Sequence, residues 1–217
     1  LNLGASTELP NVQLSPSDRI IPVKPISAFW ARWCSLRDSV GALTRIAVIG
    51  GGAGSIELLL AMAESVGTDK HSFHLVCGAP RILPNFNNTV RGIVRQELER
   101  YKIHVHTGAR ATKIENNNLE INSEHWFQYD QIFWCTEAAP LRWLRQSGLR
   151  LDQEGFVATR DTLQVLDYDN VFATGDCATQ ISHVRPKAGV YAVRQSIILA
   201  RNLRAKLSGL PLTNYYP

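Results

Sequence analysis

Two hydrophobic periods take turns along the chain. Residues 45–49 (RIAVI) form a mostly apolar, β-branched run, the mark of a strand covered on both faces. Glycines follow at 50, 51, 52 and 54. Ile56, Leu59, Leu60 and Ala63 then recur at the spacing of a helix with one buried stripe. The alternation continues: strands are expected at 72–77, 103–106 and 131–135, and helices over 54–66 and about 88–101. A turn at Gly67–Lys70 separates the first helix from the next strand. Val90, Ile93, Val94, Leu98 and Tyr101 share one side of the second helix. ATKIE and LEIN flank Asn116–Asn118 and predict a hairpin, since asparagine tolerates a left-handed turn. The expected fold class is α/β: a parallel Rossmann-like sheet with helices on both faces and a small antiparallel meander.

The flanks read differently. Residues 1–25 are rich in Pro, Ser, Asn and Asp and predict extended chain. A helix is expected from an N-cap at Ser27 to Val40, with Gly41 as its stop and Phe29, Trp30, Trp33, Leu36 and Val40 on one face. After Pro140, LRWLRQSG predicts a short helix whose Trp143 and Leu144 are core or interface. Leu149–Asp169 is loop-rich. NVFATGDCA then repeats the step from strand into glycine turn, and a long helix over about 188–208 ends before Gly209 and Pro211.

Composition narrows the class. Hydrophobic residues at 45% and charged residues at 19% describe a globular protein, not a disordered one. The net charge of +4 is scattered over several predicted helices without a dense basic run, which argues against a nucleic-acid partner. Cys34, Cys77, Cys135 and Cys177 show neither a CxxC pair nor metal-ligand spacing, so a local dithiol is excluded and reduced cytosolic thiols fit. No apolar run is long enough for a transmembrane segment, and no signal peptide is evident. The chain starts in mid-pattern at LNLGAS without methionine and is expected to be excised from something longer. His104, His106 and His183 are expected to be structural.

The chemistry begins at Gly50–Gly54. A glycine turn between a strand and a helix start forms a pyrophosphate site, because free N–H groups and the helix dipole favour an anion. Gly50, Gly51, Gly52, Ala53, Gly54 and Ser55 are the candidate cofactor-binding residues, with Ser55 in the third GxGxxG position. The alternative is a βα turn that binds nothing. The acid expected on the adenosine ribose falls 22 residues after Ser55, at Cys77, where a thiol cannot make the carboxylate contact. Arg81 follows as the candidate for a 2′-phosphate, or else a surface arginine at a helix entry. Glu57 is placed in the first helical turn, orienting the loop or facing the nicotinamide side. TGD at Thr174–Asp176 is well placed for sugar hydroxyls; alone it would read as an Asx turn.

IAVIGGGAG-IE, HLVCGAPRILP, WCTEAAP and NVFATGDCA, in this order and spacing, resemble the pyridine nucleotide-disulfide oxidoreductase superfamily over essentially the whole chain. The resemblance implies FAD and NAD(P)H as cofactors and an NAD(P)H-binding domain over residues 42–140. It implies a tail of the first FAD-domain segment and a linker helix in 1–41, and the C-terminal FAD-domain segment in 141–217. Gly175 and Asp176 would then bind the FAD ribityl chain. Lys187 and Ala188 would sit where the last helix points at the flavin, and Thr136 would lie on the cofactor path in a motif that reads Cys135, Thr136, Glu137. Glu137 stands near that path where the family has glycine.

LGASTELP, IPVKPI, RPKAGVYAVRQ and PLTNYYP look like phrases of the subgroup fused to or paired with selenide, water dikinase. More broadly the chain is similar to type II NADH dehydrogenases and sulfide:quinone reductases. The resemblance implies a cytoplasmic oxidoreductase, or one peripheral to the membrane, passing hydride from nicotinamide to flavin and on to a quinone, a small sulfur or selenium species or a protein. Its alternative is a degenerate regulatory module of the dikinase fusion. A chain cut inside its FAD domain would expose apolar surface and is expected to form a homodimer or to have mobile termini.

Overall fold

The computed structural model describes residues 1–7, 20–38, 44–67, 71–115 and 118–217. The expectations for Val40, Gly41, the residues after Gly67 up to Lys70, and Asn116 lie outside these ranges. In chain order the elements are β1 (Ser6–Thr7), β2 (Ile20–Pro22), α1 (Ile26–Arg37), β3 (Thr44–Ile49), α2 (Ala53–Val66), β4 (His71–Cys77), α3 (Asn88–Arg100) and β5 (His104–Thr107). They continue with β6 (Ala111–Glu115), β7 (Asn118–Ile121), β8 (His125–Gln128), β9 (Gln131–Trp134), β10 (Ala138–Ala139), β11 (Val157–Thr159), β12 (Ala178–Gln180) and α4 (Gly189–Leu207). Two compact units divide the chain: Thr7–Glu137, which carries the glycine loop, and Leu1–Ser6 with Ala138–Pro217, which carries TGD.

The glycine-loop unit is built on a parallel sheet of order β2-β9-β3-β4-β5. Strand parity sorts its side chains onto two faces. Ile46, Val48, Phe73, Leu75 and Phe133 pack with Phe29 and Trp33 of α1, Ile56, Leu59, Met62 and Ala63 of α2, and Leu98 of α3. Ala47, Ile49, Val76, Ile132 and Trp134 pack instead with Ile114, Leu119, Ile121 and Tyr129. Helices on both faces were expected; the structure has helices on one face and the meander on the other. The meander has three strands, β6-β7-β8, one more than the hairpin expected. β8 escaped notice because all four of its residues are exposed, so no face alternates.

Two ends differ from the sequence expectation for local reasons. α1 begins at Ile26, not after a Ser27 cap: Pro25 occupies the cap position and its carbonyl accepts from Ala28 N at 3.1 Å. The helix ends at Arg37, and Trp30 faces solvent while Phe29 and Trp33 are buried.

Three histidines meet on the meander face at the β4–β5 edge. His74 Nδ1 and His106 Nε2 are 3.1 Å apart, Ser72 Oγ is 3.0 Å from His74 Nε2, and His104 stacks on His74 at 4.8 Å. Tyr129 closes the cluster edge-on at 5.2 Å, and Arg45 adds a positive charge nearby. Burial, and then His104, His106 and Arg45, push the His74 pKa down to about 4; burial also lowers His106. The folded form therefore refuses protons that the unfolded chain accepts below about 6.5. Stability is complete above that pH and falls as pH drops towards 4. Full linkage would be ~3 kcal/mol, and half-exposure reduces this to about 1–2 kcal/mol. Urea midpoints at pH 7 and pH 4.5 should show this loss in the native chain and much less of it in His74→Phe; equal losses in both would refute the assignment.

In the TGD unit, β11 and β12 pair in parallel, Val157 with Ala178 through Thr159 with Gln180. β11 gives order to a stretch, Leu149–Asp169, expected to be loop-rich. The short helix after Pro140 is a 3-10 turn, Arg142–Gln146; Leu144 is buried and Trp143 exposed, so only the leucine serves the core. α4 buries Asn202, which bonds Thr162 and Thr213, and leaves Val193, Ile197 and Leu207 exposed.

Candidate nucleotide and cofactor sites

At the C-terminal end of β3 the chain turns through Gly50–Gly52 into α2. Gly50 donates to the Val76 carbonyl at 2.9 Å, and Leu83 N donates back to the Gly51 carbonyl at 2.8 Å, so the loop is stitched to β4 and the segment after it. The glycines do different jobs. A Cβ on Gly50 (φ +141°) would lie 2.2 Å from the Cys135 carbonyl oxygen; one on Gly51 would lie 2.1 Å from Cys77 Sγ. Both must be bare for the fold to close. A Cβ on Gly52 or Gly54 would meet nothing within 4 Å. Gly52 has an ordinary extended backbone (φ −85°, ψ 175°), and Gly54 lies inside α2, where glycine costs about 0.5–1 kcal/mol against alanine. Their bareness serves no packing. It leaves a smooth backbone cradle at an α2 N-terminus that has no side-chain cap and no acid in its first turn.

Ser55 does more than fit. Its buried hydroxyl lies 2.8 Å from the carbonyl oxygens of both Gly50 and Gly52, tying the loop to the helix it starts. Ser55→Ala is expected to cost about 1 kcal/mol, read as a shift in urea midpoint, because the Gly50 and Gly52 carbonyls lose a buried hydroxyl donor. A loss below 0.3 kcal/mol, roughly the scatter of additive surface changes, would show that the hydroxyl does not hold the loop. Ala53, the first residue of α2, packs on the helix-side core.

The other sequence candidates fall as follows. Glu57 is exposed and is the fifth residue of α2, so it lies beyond the first turn where it was placed: the helix starts at Ala53, not Gly54. Cys77 is buried under Gly51, its thiol directed to the carbonyls of Ala79 and Arg81. Arg81 is exposed but not at a helix entry, because α3 starts at Asn88 behind an Asn87 cap. Thr136 is exposed, and its hydroxyl accepts from Trp134 Nε1 at 2.9 Å. Glu137 is exposed as well.

The TGD unit forms a second cleft. TGD does not enter a long helix: Gly175–Cys177 is one 3-10 turn leading into β12. Gly175 (φ +70°) donates to Gln195 Oε1 at 2.8 Å, and a Cβ there would lie 2.7 Å from Asn2 Oδ1. Gly175, Asp176, Thr179, Lys187, Ala188 and Tyr191 line the cleft. Lys187 Nζ donates to the Ala178 carbonyl at 2.6 Å and to Thr179 Oγ1 at 2.7 Å, and lies 4.0 Å from the centre of the Phe156 ring. Burial lowers its pKa against the opposing pull of Asp152 and Asp176. Ala188 is the N-cap residue of α4 and offers no side-chain cap. Cys177 is core, its thiol donating to the Thr174 carbonyl at 3.3 Å. Sequence reasoning missed Asn2 and Gln195, whose roles come from contacts across 173 and 20 positions; no local pattern marks them.

These features fit the two cofactors that the fold class implies: a backbone cradle for a dinucleotide in one unit, an open helix N-terminus beside polar groups in the other. Comparison with known proteins agrees. The description "Pyridine nucleotide-disulphide oxidoreductase" matches residues 19–196. A type II NADH:quinone oxidoreductase of Haemophilus influenzae is 27% identical in an alignment of 186 residues that covers 78% of this chain and 42% of that protein. The chain thus spans about half the length, or less, of the curated relatives it matches. Among solved structures, a FAD-dependent pyridine nucleotide-disulphide oxidoreductase from Desulfovibrio vulgaris superposes with a TM-score of 0.77 at 22% identity, covering 99% of this chain and 54% of that one. A water-forming NADH oxidase from Lactobacillus brevis, bound to NADH, gives 0.76 at 21%, covering 98% and 46%. Those two likenesses concern the fold. Together with the match over residues 19–196, they place this chain in the pyridine nucleotide-disulphide oxidoreductase family, whose cofactors are FAD and NAD(P)H.

Proposed function

We propose that the protein carrying this chain is a FAD- and NAD(P)H-dependent oxidoreductase with a quinone as electron acceptor. The observation that carries this reading is the Gly52–Gly54 cradle, bare where packing does not require it. Residues 42–140 would bind NAD(P)H, and the TGD unit would contribute to the flavin site. When bound, the nicotinamide supplies a hydride and the flavin relays its electrons onward. The chain's own part is to hold and orient: backbone N–H groups of Gly52–Ser55 face the diphosphate, and Asp176 accepts from sugar hydroxyls. The α4 N-terminus favours negative charge on the flavin side. A quinone acceptor is supported by the Haemophilus relative's name.

Cys77 favours a second reading, in which a nucleotide-binding fold is kept for interaction or regulation, as in a fusion with selenide, water dikinase. Quenching of tryptophan fluorescence by NADH and NADPH separates the two. Gly52→Ala should leave the urea midpoint within about 0.5 kcal/mol of the native value and weaken nucleotide binding at least tenfold, since the new methyl occupies the diphosphate approach. Absence of binding by either nucleotide at millimolar concentration would sink the oxidoreductase reading. The exposed face of α4 supports self-association, which light scattering tests; a monomer would count against it.

A further inference from the structure

The end of β4 is where a dinucleotide site reads the adenosine ribose. A carboxylate there pairs with the 2′-hydroxyl, and a nearby arginine accommodates a 2′-phosphate. In this chain the reading position is sealed. The Cys77 sulfur fills the space beneath Gly51 and its thiol points to the Ala79 and Arg81 carbonyls, so it offers nothing to a ribose.

Two arginines stand around this position instead. Ala109 N donates to the Cys77 carbonyl at 2.9 Å and Gly108 N to the Ala79 carbonyl at 2.8 Å, so the turn after β5 lies along the segment after β4. A Cβ on Gly78 would touch only Arg110, 3.8 Å from its Cα and Cβ. Gly78 is exposed and bare, and it sits between Arg110 on one segment and Arg81, three residues on, along the other. Both arginines are exposed, and among the described residues neither guanidinium has an ion-pair partner. Neither segment carries an acid: residues 77–96 and 103–114 contain no Asp or Glu. The charge carried by these two segments is therefore positive.

We propose that the glycine-loop site selects NADPH over NADH, with Arg81 and Arg110 flanking the 2′-phosphate of the adenosine ribose. This rests on the nucleotide-binding reading of Gly50–Gly54. Arg81 was visible from sequence; Arg110 was not, because 33 positions separate it from Cys77 and only β4–β5 pairing brings it there.

Calorimetric titration of the 217-residue chain with 2′,5′-ADP and with 5′-AMP tests the proposal without flavin or turnover. The bisphosphate should bind about tenfold to a hundredfold more tightly, the range for one or two charge-assisted contacts. Arg81→Gln and Arg110→Gln should each remove about tenfold of that advantage and leave 5′-AMP binding unchanged. Both side chains are exposed, so an unchanged circular dichroism spectrum is expected for each variant. Raising salt should shrink the advantage. Equal binding of the two probes, or NADH bound as tightly as NADPH, would overturn the selection and leave the nucleotide site standing. Failure of all four ligands to bind would overturn the nucleotide site itself, and this inference with it.

Discussion

Gly50→Ala is expected to abolish a stably folded glycine-loop unit. The new methyl would sit 2.2 Å from the Cys135 carbonyl oxygen and 2.9 Å from its carbon, both backbone atoms that cannot rotate away. Cys135 N is itself bound to the Ile49 carbonyl, so retreat would open the β3–β9 ladder at its C-terminal end. The φ of +141° adds strain of about 1–3 kcal/mol for any side chain. Overpacking against rigid backbone adds at least as much. The sum, about 2–6 kcal/mol or more, reaches the lower end of an ordinary domain's stability. Soluble expression and a urea transition are the readouts; a midpoint within 1 kcal/mol of native, the size of a typical surface effect, would refute the geometry. Gly51→Ala supplies the internal comparison, because there the obstacle is the Cys77 sulfur, a removable group. Alone it should cost about 2–3 kcal/mol, and in Gly51→Ala/Cys77→Ala most of that should return as a positive coupling.

Asn202→Leu is the second large effect, and it falls on the TGD unit. Asn202 is fully buried; its amide donates to the carbonyls of Thr162 and Thr213 at 2.9 and 2.8 Å and its oxygen accepts from Thr213 N at 2.8 Å. One side chain thereby fastens the loop at 162 and the tail at 213 to α4. A leucine of similar volume leaves three backbone groups without that partner, at about 1–3 kcal/mol each where water stays out. The expected loss is at least ~3 kcal/mol. Asn202→Asp should also be poor, since it keeps the acceptor for Thr213 N but sets a carboxylate against two carbonyl oxygens. If denaturant melts place both variants within 1 kcal/mol of native, the triad is not what holds the tail.

The sequence revealed the α/β plan where one rule governs. β3 is visible because a buried parallel strand needs an unbroken apolar run, and α2 because its stripe repeats at 3.6 residues. It failed where the deciding partner is distant. Nothing local says that the described helices cover one sheet face and the meander the other, since both faces of β3 are equally apolar and the meander comes later in the chain. At Ser27 a good capping residue lost to Pro25 two positions earlier. The four loop glycines look alike in sequence; only the Cys135 backbone and the Cys77 sulfur separate those that the fold demands from those whose bareness packing does not require. Lys187 lines the cleft as a candidate, and only the structure shows that its amine is also held by Ala178 and Thr179.

The TGD unit is assembled from two ends of the chain. Thr174 N donates to the Leu1 carbonyl at 2.9 Å, and Leu3 N lies 3.5 Å from Cys177 Sγ, a separation of 174 positions. Contacts of such high order close late, because the loop between them must first lose its freedom. The intervening glycine-loop unit has all its partners at hand much earlier. During synthesis at about 5–20 residues per second, it can finish folding while Leu1–Ser6 waits, on the order of ten seconds or more, for Phe172–Cys177 to emerge. A lesion in the nested unit such as Gly50→Ala therefore acts before the end-to-end contacts of the outer unit can form.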